Sequence, residues 1–371
     1  MNYKQCEDFL ELNRYNEDLS EDTLESLRHS LYERIGARID VGRVILCLEP
    51  IIYSAATVAY LEHTLKLAGF KTMTYCEDAL GDYRNRWKIG GKTISQKSLC
   101  EIVEMIQDGC QNEQVDTKIP SRIQVEQLVA EMLFVQSDAK VMLWHGFFYQ
   151  MPRIEGVERY DVPSVSLKPY KVSSKNLKKQ VFDYGEEKKV SLVAPGKEAL
   201  VGACQTLELL DFLREKGLKV EEKHARAAFE EVQVRNYFGR IGNKPLFVLD
   251  EAQNKQTAQR LKEDIEEYLP GKQVVLLLGA TKKTDIEGLL EQLCSKASFV
   301  LTVAPPGIDR IPSYELAQQV LRHHPGVSAV DSLEEAMEII GMVLPKDGAV
   351  LAVGCKEMLS QVMAIVNKDV F

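Results

Sequence analysis

The chain has 371 residues, which is long for one hydrophobic core and sufficient for two, because single cores stop growing near roughly 250–300 residues. Hydrophobic residues make up 45% of the chain and charged residues 27%, a composition typical of an ordinary folded protein. The net charge of −9 argues against general binding to nucleic acid or anionic membranes, because neutralising phosphates requires a basic surface.

The cysteine spacing and the length of the apolar runs indicate the cellular compartment. The eight cysteines are scattered, with no Cys-x-x-Cys pair and no histidine at ligand spacing, so we expect no zinc site. Residues 1–18 are polar and acidic, and the longest apolar runs, such as residues 274–278, are too short to span a bilayer. We therefore expect a cytoplasmic protein with reduced thiols that does not bind membranes.

The first half of the chain alternates short apolar runs with longer stretches of helical periodicity. The predicted strands are residues 44–48, 71–75 and 141–144, and the predicted helices are residues 24–35, 57–68, 95–106 and 123–135. The strand–helix–strand unit that begins at Val44 predicts an α/β domain. Residues 152–190 are rich in Lys, Ser and Pro with weak periodicity, which predicts irregular surface structure with room for a short hairpin. Helices are expected next at residues 199–216 and 222–232.

From Pro245 onward the alternation is regular. The predicted strands are residues 246–249, 273–278, 299–303, 327–330 and 349–353, and the predicted helices are residues 257–268, 286–294, 314–321 and 333–343. Such alternation is typical of βαβ units around a parallel sheet. We therefore predict two α/β domains, residues 1–240 and residues 241–371, the second with a Rossmann-like parallel sheet.

Asp250 ends the first strand of the second domain, and Asn254 follows four residues later. Open α/β sheets bind ligands at the carboxyl ends of their strands, which makes both side chains candidate ligand contacts. Asp250 could instead have a structural role, either capping the helix that begins near Lys255 or accepting hydrogen bonds from loop N–H groups. His145 at a strand end is a candidate base, although a lone histidine is more often structural.

These motifs resemble the folylpolyglutamate synthase and dihydrofolate synthase branch of the Mur ligase superfamily. Gly239-Arg240 and residues 250–254 (Asp-Glu-Ala-Gln-Asn) look like the family's Gly-Arg and Asp-Gly-Ala-His-Asn. Arg310 falls where the family carries an Arg after its third C-terminal strand. In the first half, residues 68–71 (Ala-Gly-Phe-Lys) and 83–95 are similar to the family's Ala-Gly-Tyr-Lys and the following Arg-rich segment.

The resemblance implies an N-terminal domain of the P-loop-NTPase type and a C-terminal domain that closes over the nucleotide. It implies that ATP phosphorylates a folate carboxylate and that the amino group of L-glutamate then attacks the acyl phosphate to form an amide. The nucleotide contacts carried over from the family are Arg240, Asp250, Asn254, Arg310 and Thr57.

The loop after the first strand departs from the family's Gly-Thr-x-Gly-Lys-Gly-Ser-Thr. A phosphate-cradling loop needs glycines so that successive N–H groups point at the phosphates. Residues 50–57 contain no glycine. Pro50 lacks an N–H, Ile51 and Ile52 disfavour positive φ, and Tyr53 fills space that a phosphate would need.

The other parts of the nucleotide and metal site also differ. Ser54 stands where the family has its Lys, Ala56 stands where it has its magnesium-binding hydroxyl, and only Thr57 is retained. The family's Glu-x-Gly-x-Gly-Gly-Arg segment falls on residues 143–148, where only Gly146 is shared and no carboxylate is present. Mg²⁺ would therefore lack its usual oxygen ligands, and no residue is assigned as catalytic or as a metal ligand.

The leading hypothesis is a divergent family member without ATP-dependent ligase activity that binds a protein partner, or a folate-like or nucleotide ligand between the domains. No cofactor is then expected. The alternative is an active ligase that adds L-glutamate to a folate or related carboxylate, with ATP and Mg²⁺ as cofactors. A third possibility is a subunit that receives its phosphate loop from a partner chain.

Overall fold

The structure is a computed structural model. It describes residues 1–13, 16–37, 42–51, 53–77, 79–112, 119–146, 152–242 and 245–368. Ile52 of the first-strand loop, and Phe147 and Phe148 after the third predicted strand, lie outside these described residues.

The first sheet has the strand order β4-β3-β2-β5-β1-β6. Its strands are β1 (Val44–Leu48), β2 (Thr72–Cys76), β3 (Trp87–Ile89), β4 (Lys92–Thr93), β5 (Val141–His145) and β6 (Glu158–Asp161). β1, β2, β5 and β6 run parallel, and β3 and β4 add an antiparallel edge. β1 and β5 are buried at every position, as expected for central parallel strands covered on both faces.

Helices cover both faces of this sheet. They are α1 (Tyr3–Leu12), α2 (Glu21–Arg34), α3 (Ser54–Leu67), α4 (Gln96–Asn112), α5 (Arg122–Gln136), α6 (Lys197–Glu215) and α7 (Glu222–Glu231). One apolar core includes side chains of α1, α2, α4 and α5, and a second includes side chains of α3, α6 and α7. The start of α3 therefore lies between the sheet and α6, and this packing positions the candidate site.

The expectation for residues 152–190 was right about a hairpin and wrong about irregular structure elsewhere. This segment contains β6 and the antiparallel sheet β7 (Tyr170–Asn176), β8 (Lys179–Tyr184) and β9 (Glu187–Leu192), and β7 and β8 form a hairpin. β7 is exposed at all but one position, so its sequence carries no apolar alternation that would indicate a strand. α1 was not predicted either; its N-terminus is fixed by a capping box at Asn2.

The second sheet has the order β10-β11-β15-β12-β13-β14. Its strands are β10 (Gly239–Arg240), β11 (Leu246–Asp250), β12 (Val274–Leu278), β13 (Phe299–Val303), β14 (Val327–Val330) and β15 (Ala349–Val353). All pairings are parallel except β10 with β11. The predicted α/β class with two sheet-based domains is confirmed, and a boundary between residues 240 and 241 stays a prediction.

The helices of the second half are α8 (Lys255–Tyr268), α9 (Ile286–Leu293), α10 (Ser313–Val320), α11 (Leu333–Val343) and α12 (Lys356–Lys368). Apolar cores lie on both faces of the sheet. Every strand and helix predicted after Pro245 is present within a few residues of its expected bounds. Among the described residues, no helix is both long enough and apolar enough to traverse a bilayer.

Candidate functional site

The candidate site lies where β1 and β11 end and where α3, α6 and α8 begin. This is the edge at which open α/β sheets bind ligands. Groups from both halves of the chain meet there: the backbone N–H of Lys197 at the start of α6 donates to the carboxylate of Asp264 in α8 at 2.8 Å. The site is therefore formed by contacts between the two sheet domains.

The turn into α3 has a left-handed residue. Tyr53 has φ of 71°, a conformation that costs a non-glycine residue roughly 1–2 kcal/mol. The Ser54 hydroxyl donates to the carbonyl oxygen of Ile51 at 2.6 Å and lies 2.8 Å from Nε2 of His145. The Thr57 hydroxyl contacts the carbonyl oxygen of Tyr53 at 3.0 Å and the side-chain oxygen of Gln205. Both hydroxyls at the start of α3 are thus engaged by protein groups.

Glu198 of α6 faces the first turn of α3. Its side chain is 1% exposed, and the backbone N–H of Ala56 donates to its carboxylate at 3.4 Å. α6 approaches closely because it has a glycine at position 202: a Cβ on Gly202 would lie 2.5 Å from Cβ of Ala56 and 2.9 Å from the backbone nitrogen of Thr57. A protein carboxylate and a helix backbone therefore occupy the space in front of this helix N-terminus.

Asp250 at the end of β11 is fully buried. Its carboxylate accepts N–H groups of Phe238 at 2.7 Å and Ala252 at 2.9 Å, and both of its oxygens accept from Nη2 of Arg260 of α8, at 2.7 and 2.8 Å. Arg260 also reaches Asp264 at 3.3 Å. Of the two structural roles considered for Asp250, it has the second: it binds loop N–H groups and does not cap α8.

One guanidinium thus faces three buried carboxylates. The pKa of Glu198 is raised to about 7, chiefly by burial; the charge of Arg260 and the N–H of Ala56 oppose the rise, and Asp250 and Asp264 contribute to it. Burial also raises the pKa of Asp264 to about 7 against the opposing charge of Arg260. The pKa of Asp250 is raised by burial as well, although Arg260 and its backbone donors lower it. Glu198 and Asp264 therefore change protonation near neutral pH.

The other predicted nucleotide contacts are dispersed. Asn254 is exposed and caps α8, accepting the N–H of Thr257 at 3.0 Å. Arg240 is half-buried in β10 opposite Val248. Arg310 is exposed, and its backbone bridges to Thr281 after β12, two strands away from β11. Thr57 directly follows Ala56, whose N–H donates to Glu198, and the charge of Asp250 acts on the same carboxyl group, whereas Arg310 lies apart. The role of each in nucleotide binding stays a prediction.

His145 lies within the first domain's core. It is fully buried, with Nε2 at 2.8 Å from the Ser54 hydroxyl and Nδ1 at 3.4 Å from Sγ of Cys76. Both ring nitrogens are therefore within reach of side chains of the same domain. No group of three His, Cys, Asp or Glu side chains arranged to hold a metal ion occurs among the residues that the structure describes.

Sequence reasoning missed Glu198, Arg260 and Asp264. A weak signal existed for Glu198, since a Glu directly after Gly196-Lys197 begins a helix that is otherwise apolar on this face. Arg260 and Asp264 sit at helical i, i+4 spacing, which sequence alone attributes to an exposed ion pair.

The fold matches solved structures over nearly its whole length. With folylpolyglutamate synthase from Thermotoga maritima the TM-score is 0.77 at 16% identity, covering 99% of this chain and 98% of that one. The chain has the folylpolyglutamate synthase fold. Folylpolyglutamate synthase from Mycobacterium tuberculosis complexed with ADP gives a TM-score of 0.79 at 14% identity, covering 98% of each chain. The bifunctional folylpolyglutamate synthase/dihydrofolate synthase from Yersinia pestis, complexed with AMPPNP and Mn ion, gives 0.73 at 17% identity, covering 99% of this chain and 98% of that one.

Sequence comparison gives shorter matches. The chain is 25% identical over 152 residues to the dihydrofolate synthase/folylpolyglutamate synthase of Buchnera aphidicola from Schizaphis graminum, and 25% identical over 166 residues to that from Acyrthosiphon pisum. The matched stretches cover 41% and 45% of this chain and only 36% and 39% of those relatives. No protein-family profile matches the chain. Curated and structural neighbours both point to the folylpolyglutamate and dihydrofolate synthases, as the sequence motifs predict.

Proposed function

We propose that this chain is a folylpolyglutamate synthase-like protein that does not catalyse ATP-dependent ligation and acts by binding. Its role is that of a regulatory or scaffolding partner of another protein, or of a carrier of a folate-like or nucleotide ligand. The observation that carries the proposal is the Glu198 carboxylate at the N-terminus of α3, the helix that follows the phosphate-loop position.

A helix N-terminus binds phosphate because its N–H groups are unpaired and carry partial positive charge. Here the N–H of Ala56 already donates to Glu198. Glu198 has a pKa of about 7, so above neutral pH it is ionised, and a phosphate oxygen about 4 Å away would then be opposed by about 4 kcal/mol at an effective dielectric constant near 20. Below that pH the protonated carboxyl group still occupies the same space. The start of α3 therefore favours an internal carboxylate over an external anion.

The other residues of the loop also support the absence of ATP binding. The hydroxyls of Ser54 and Thr57 are engaged by protein acceptors or by His145, so neither is presented to a metal ion. The left-handed position is held by Tyr53, whose ring stands where the family's loop has only a glycine hydrogen. Phosphoryl transfer depends on metal ions and cationic side chains that stabilise the developing charge. The residues at the start of α3 do not fit a nucleoside triphosphate and its metal.

The test is calorimetric titration of the purified protein with Mg²⁺ and ATP up to about 1 mM nucleotide, alongside a folylpolyglutamate synthase that binds ATP. The expected result is no saturable heat from this protein. Stoichiometric binding would contradict the proposal.

A second measurement separates loss of binding from loss of catalysis. Release of phosphate from ATP is followed with L-glutamate and with folate-type carboxylates as acceptors. Glutamate-dependent release would establish the active ligase in place of the binding protein, and its absence agrees with the proposal. A partner chain that supplies a phosphate loop would restore this release when added back.

A further inference from the structure

β14 is the last strand of the second sheet, and its outer side is open. It pairs with β13, in parallel. Among the described residues, no strand pairs with its other side. Ala329, near the middle of the strand, is exposed. An open sheet edge presents unpaired backbone groups, which makes it a template for pairing with a strand of another chain.

The hydrogen bonds to β13 show which backbone groups of β14 point outward. The carbonyl oxygen of Gly326 accepts the N–H of Val300 in β13 at 2.9 Å. Successive residues of a strand direct their backbone groups to alternate sides, so Ser328 faces β13 as Gly326 does. Val327 and Ala329 therefore direct their N–H and C=O groups away from β13. Each of these two residues offers one donor and one acceptor to a further strand.

The other edge strands of the described sheets differ from β14 in charge. β4, β6, β7, β9 and β10 each contain a lysine, an arginine or a glutamate. Charged side chains on an edge strand oppose pairing with another chain. β14 reads Val-Ser-Ala-Val and carries no charge. Its edge therefore lacks the protection that the other five edges have.

The residues that flank β14 indicate which partner fits its edge. Arg322 on the N-terminal side is exposed, and so are Asp331 and Glu334 on the C-terminal side. A second copy that runs antiparallel to β14 brings its acidic flank beside Arg322, whereas a parallel copy brings like charges together. We propose that this chain forms a two-fold symmetric dimer in which β14 pairs antiparallel with β14 of a second copy. The dimer goes beyond the binding role inferred above, since β14 lies four strands away from β11 and the candidate site.

The outward groups of β14 determine the register of this pairing. In an antiparallel pair, residues that face each other in a hydrogen-bonded position exchange both of their backbone bonds. Val327 of one copy faces Ala329 of the other, and the two-fold axis repeats this exchange. Ser328 then faces Ser328 of the second copy in the non-hydrogen-bonded position, where Cα atoms lie about 4.5 Å apart. The small side chains of Ser328 and Ala329 allow the two strands to approach this closely.

A cysteine at position 328 tests the register. Ser328→Cys places two thiols at the two-fold axis, within the Cα separation of about 4.4–6.8 Å that a disulfide spans. Ala329→Cys is the matched control, because Ala329 is exposed but faces Val327 of the second copy and not its own equivalent. The full chain is oxidised with copper phenanthroline, and the wild type gives the background from the eight native cysteines.

The Ser328→Cys variant is expected to form a covalent dimer several-fold faster than Ala329→Cys does, with the linkage between the two copies of position 328 identified by peptide mass spectrometry. Equal rates, or faster dimer formation by Ala329→Cys, would indicate random collision and would overturn the proposal.

Sedimentation velocity tests the dimer without oxidation. Because the interface is small, the wild type is expected to shift from monomer to dimer between about 5 and about 200 µM protein. Ala329→Pro removes an outward N–H and leaves the bonds to β13 intact, so it should raise the dissociation constant at least about tenfold. Arg322→Glu should also weaken the dimer, and adding Glu334→Arg should recover part of the loss.

A wild type that stays monomeric at every concentration would overturn the proposal, as would a dissociation constant that neither Ala329→Pro nor Arg322→Glu changes. No nucleotide is present in these experiments, so they and the calorimetric test of lost ATP binding fail independently.

Discussion

Glu198→Gln tests whether the buried carboxylate at the start of α3 titrates in the folded protein. In the folded state Glu198 has a pKa of about 7, raised by burial from an ordinary value of 4.5. The folded protein therefore holds this proton more tightly than the unfolded chain does. The resulting stabilisation is fully present below about pH 4.5 and is lost as the pH rises through about 7. The free energy of unfolding should fall by about 2–3 kcal/mol between pH 5 and pH 8 because of this one group.

Glutamine keeps an oxygen acceptor for the N–H of Ala56 and does not titrate. The variant should match the wild type near pH 5 and exceed it near pH 8. An unfolding entropy of about 2.1 cal/mol/K per residue over the chain converts 2–3 kcal/mol into a shift of about 3–4 °C in Tm. Thermal unfolding followed by circular dichroism at four pH values measures this difference.

The matched control is Glu215→Gln, at an exposed position at the end of the same helix. This variant should change Tm by the same small amount at every pH. The reasoning would be refuted if the difference between Glu198→Gln and the wild type were the same at pH 5 and pH 8. A constant difference would mean that the pKa of Glu198 is not raised by folding, so that the group is charged in both the folded and the unfolded chain across this range.

The other predictions concern the same contacts and one remote helix. Gly202→Ala should lower the free energy of unfolding by about 1–3 kcal/mol, because its Cβ would meet the first turn of α3. Gly341→Ala in α11 should raise the free energy of unfolding by about 0.5–1 kcal/mol, because no atom lies within 4 Å of the new Cβ. Urea unfolding of the two variants measures both changes. Asn254→Ala should lower the free energy of unfolding by about 1 kcal/mol, because α8 loses its N-cap. Asn254→Asp should keep most of the wild-type stability, because aspartate also caps helices. Equal destabilisation by both variants would exclude capping as the cause. Arg260→Met should lower the free energy of unfolding by about 3–5 kcal/mol, because Asp250 and Asp264 lose their buried counter-charge. The loss should be larger at pH 8 than at pH 5, because protonation removes the charge of the two carboxylates at the lower pH. A loss of stability that does not depend on pH would contradict this account.

The fold was largely predictable from the sequence where strands are buried on both faces. β12 reads Val-Val-Leu-Leu-Leu and β15 reads Ala-Val-Leu-Ala-Val, and both are buried at every position. Such runs separated by amphipathic stretches have few competing interpretations. β7 was not predicted because its side chains are nearly all exposed, so its sequence shows no alternation of apolar and polar residues.

The candidate site was only partly predictable. Asp250 was singled out by its place at a strand end, and that place depends on local sequence alone. Its partner Arg260 could not be identified, because their pairing depends on how α8 lies against β11. Glu198 is 142 residues away from the Ala56 N–H that it accepts, so their contact depends on the packing of α6 on α3. Charge clusters that are assembled by packing leave no spacing pattern in the sequence.

The left-handed turn at Tyr53 has a consequence for how such loops are compared between proteins. Its φ of 71° lies in a region that glycine enters freely, and it falls where the resembling family has a glycine. The backbone path is thus held by its surroundings, including the contact of Gly202 with Ala56, and does not require glycine at position 53. Similarity in the course of a main chain and similarity in what that main chain can accommodate are separate properties. Superposition measures similarity of the main-chain path. Which ligand the turn can accommodate depends on the side chains that fill it.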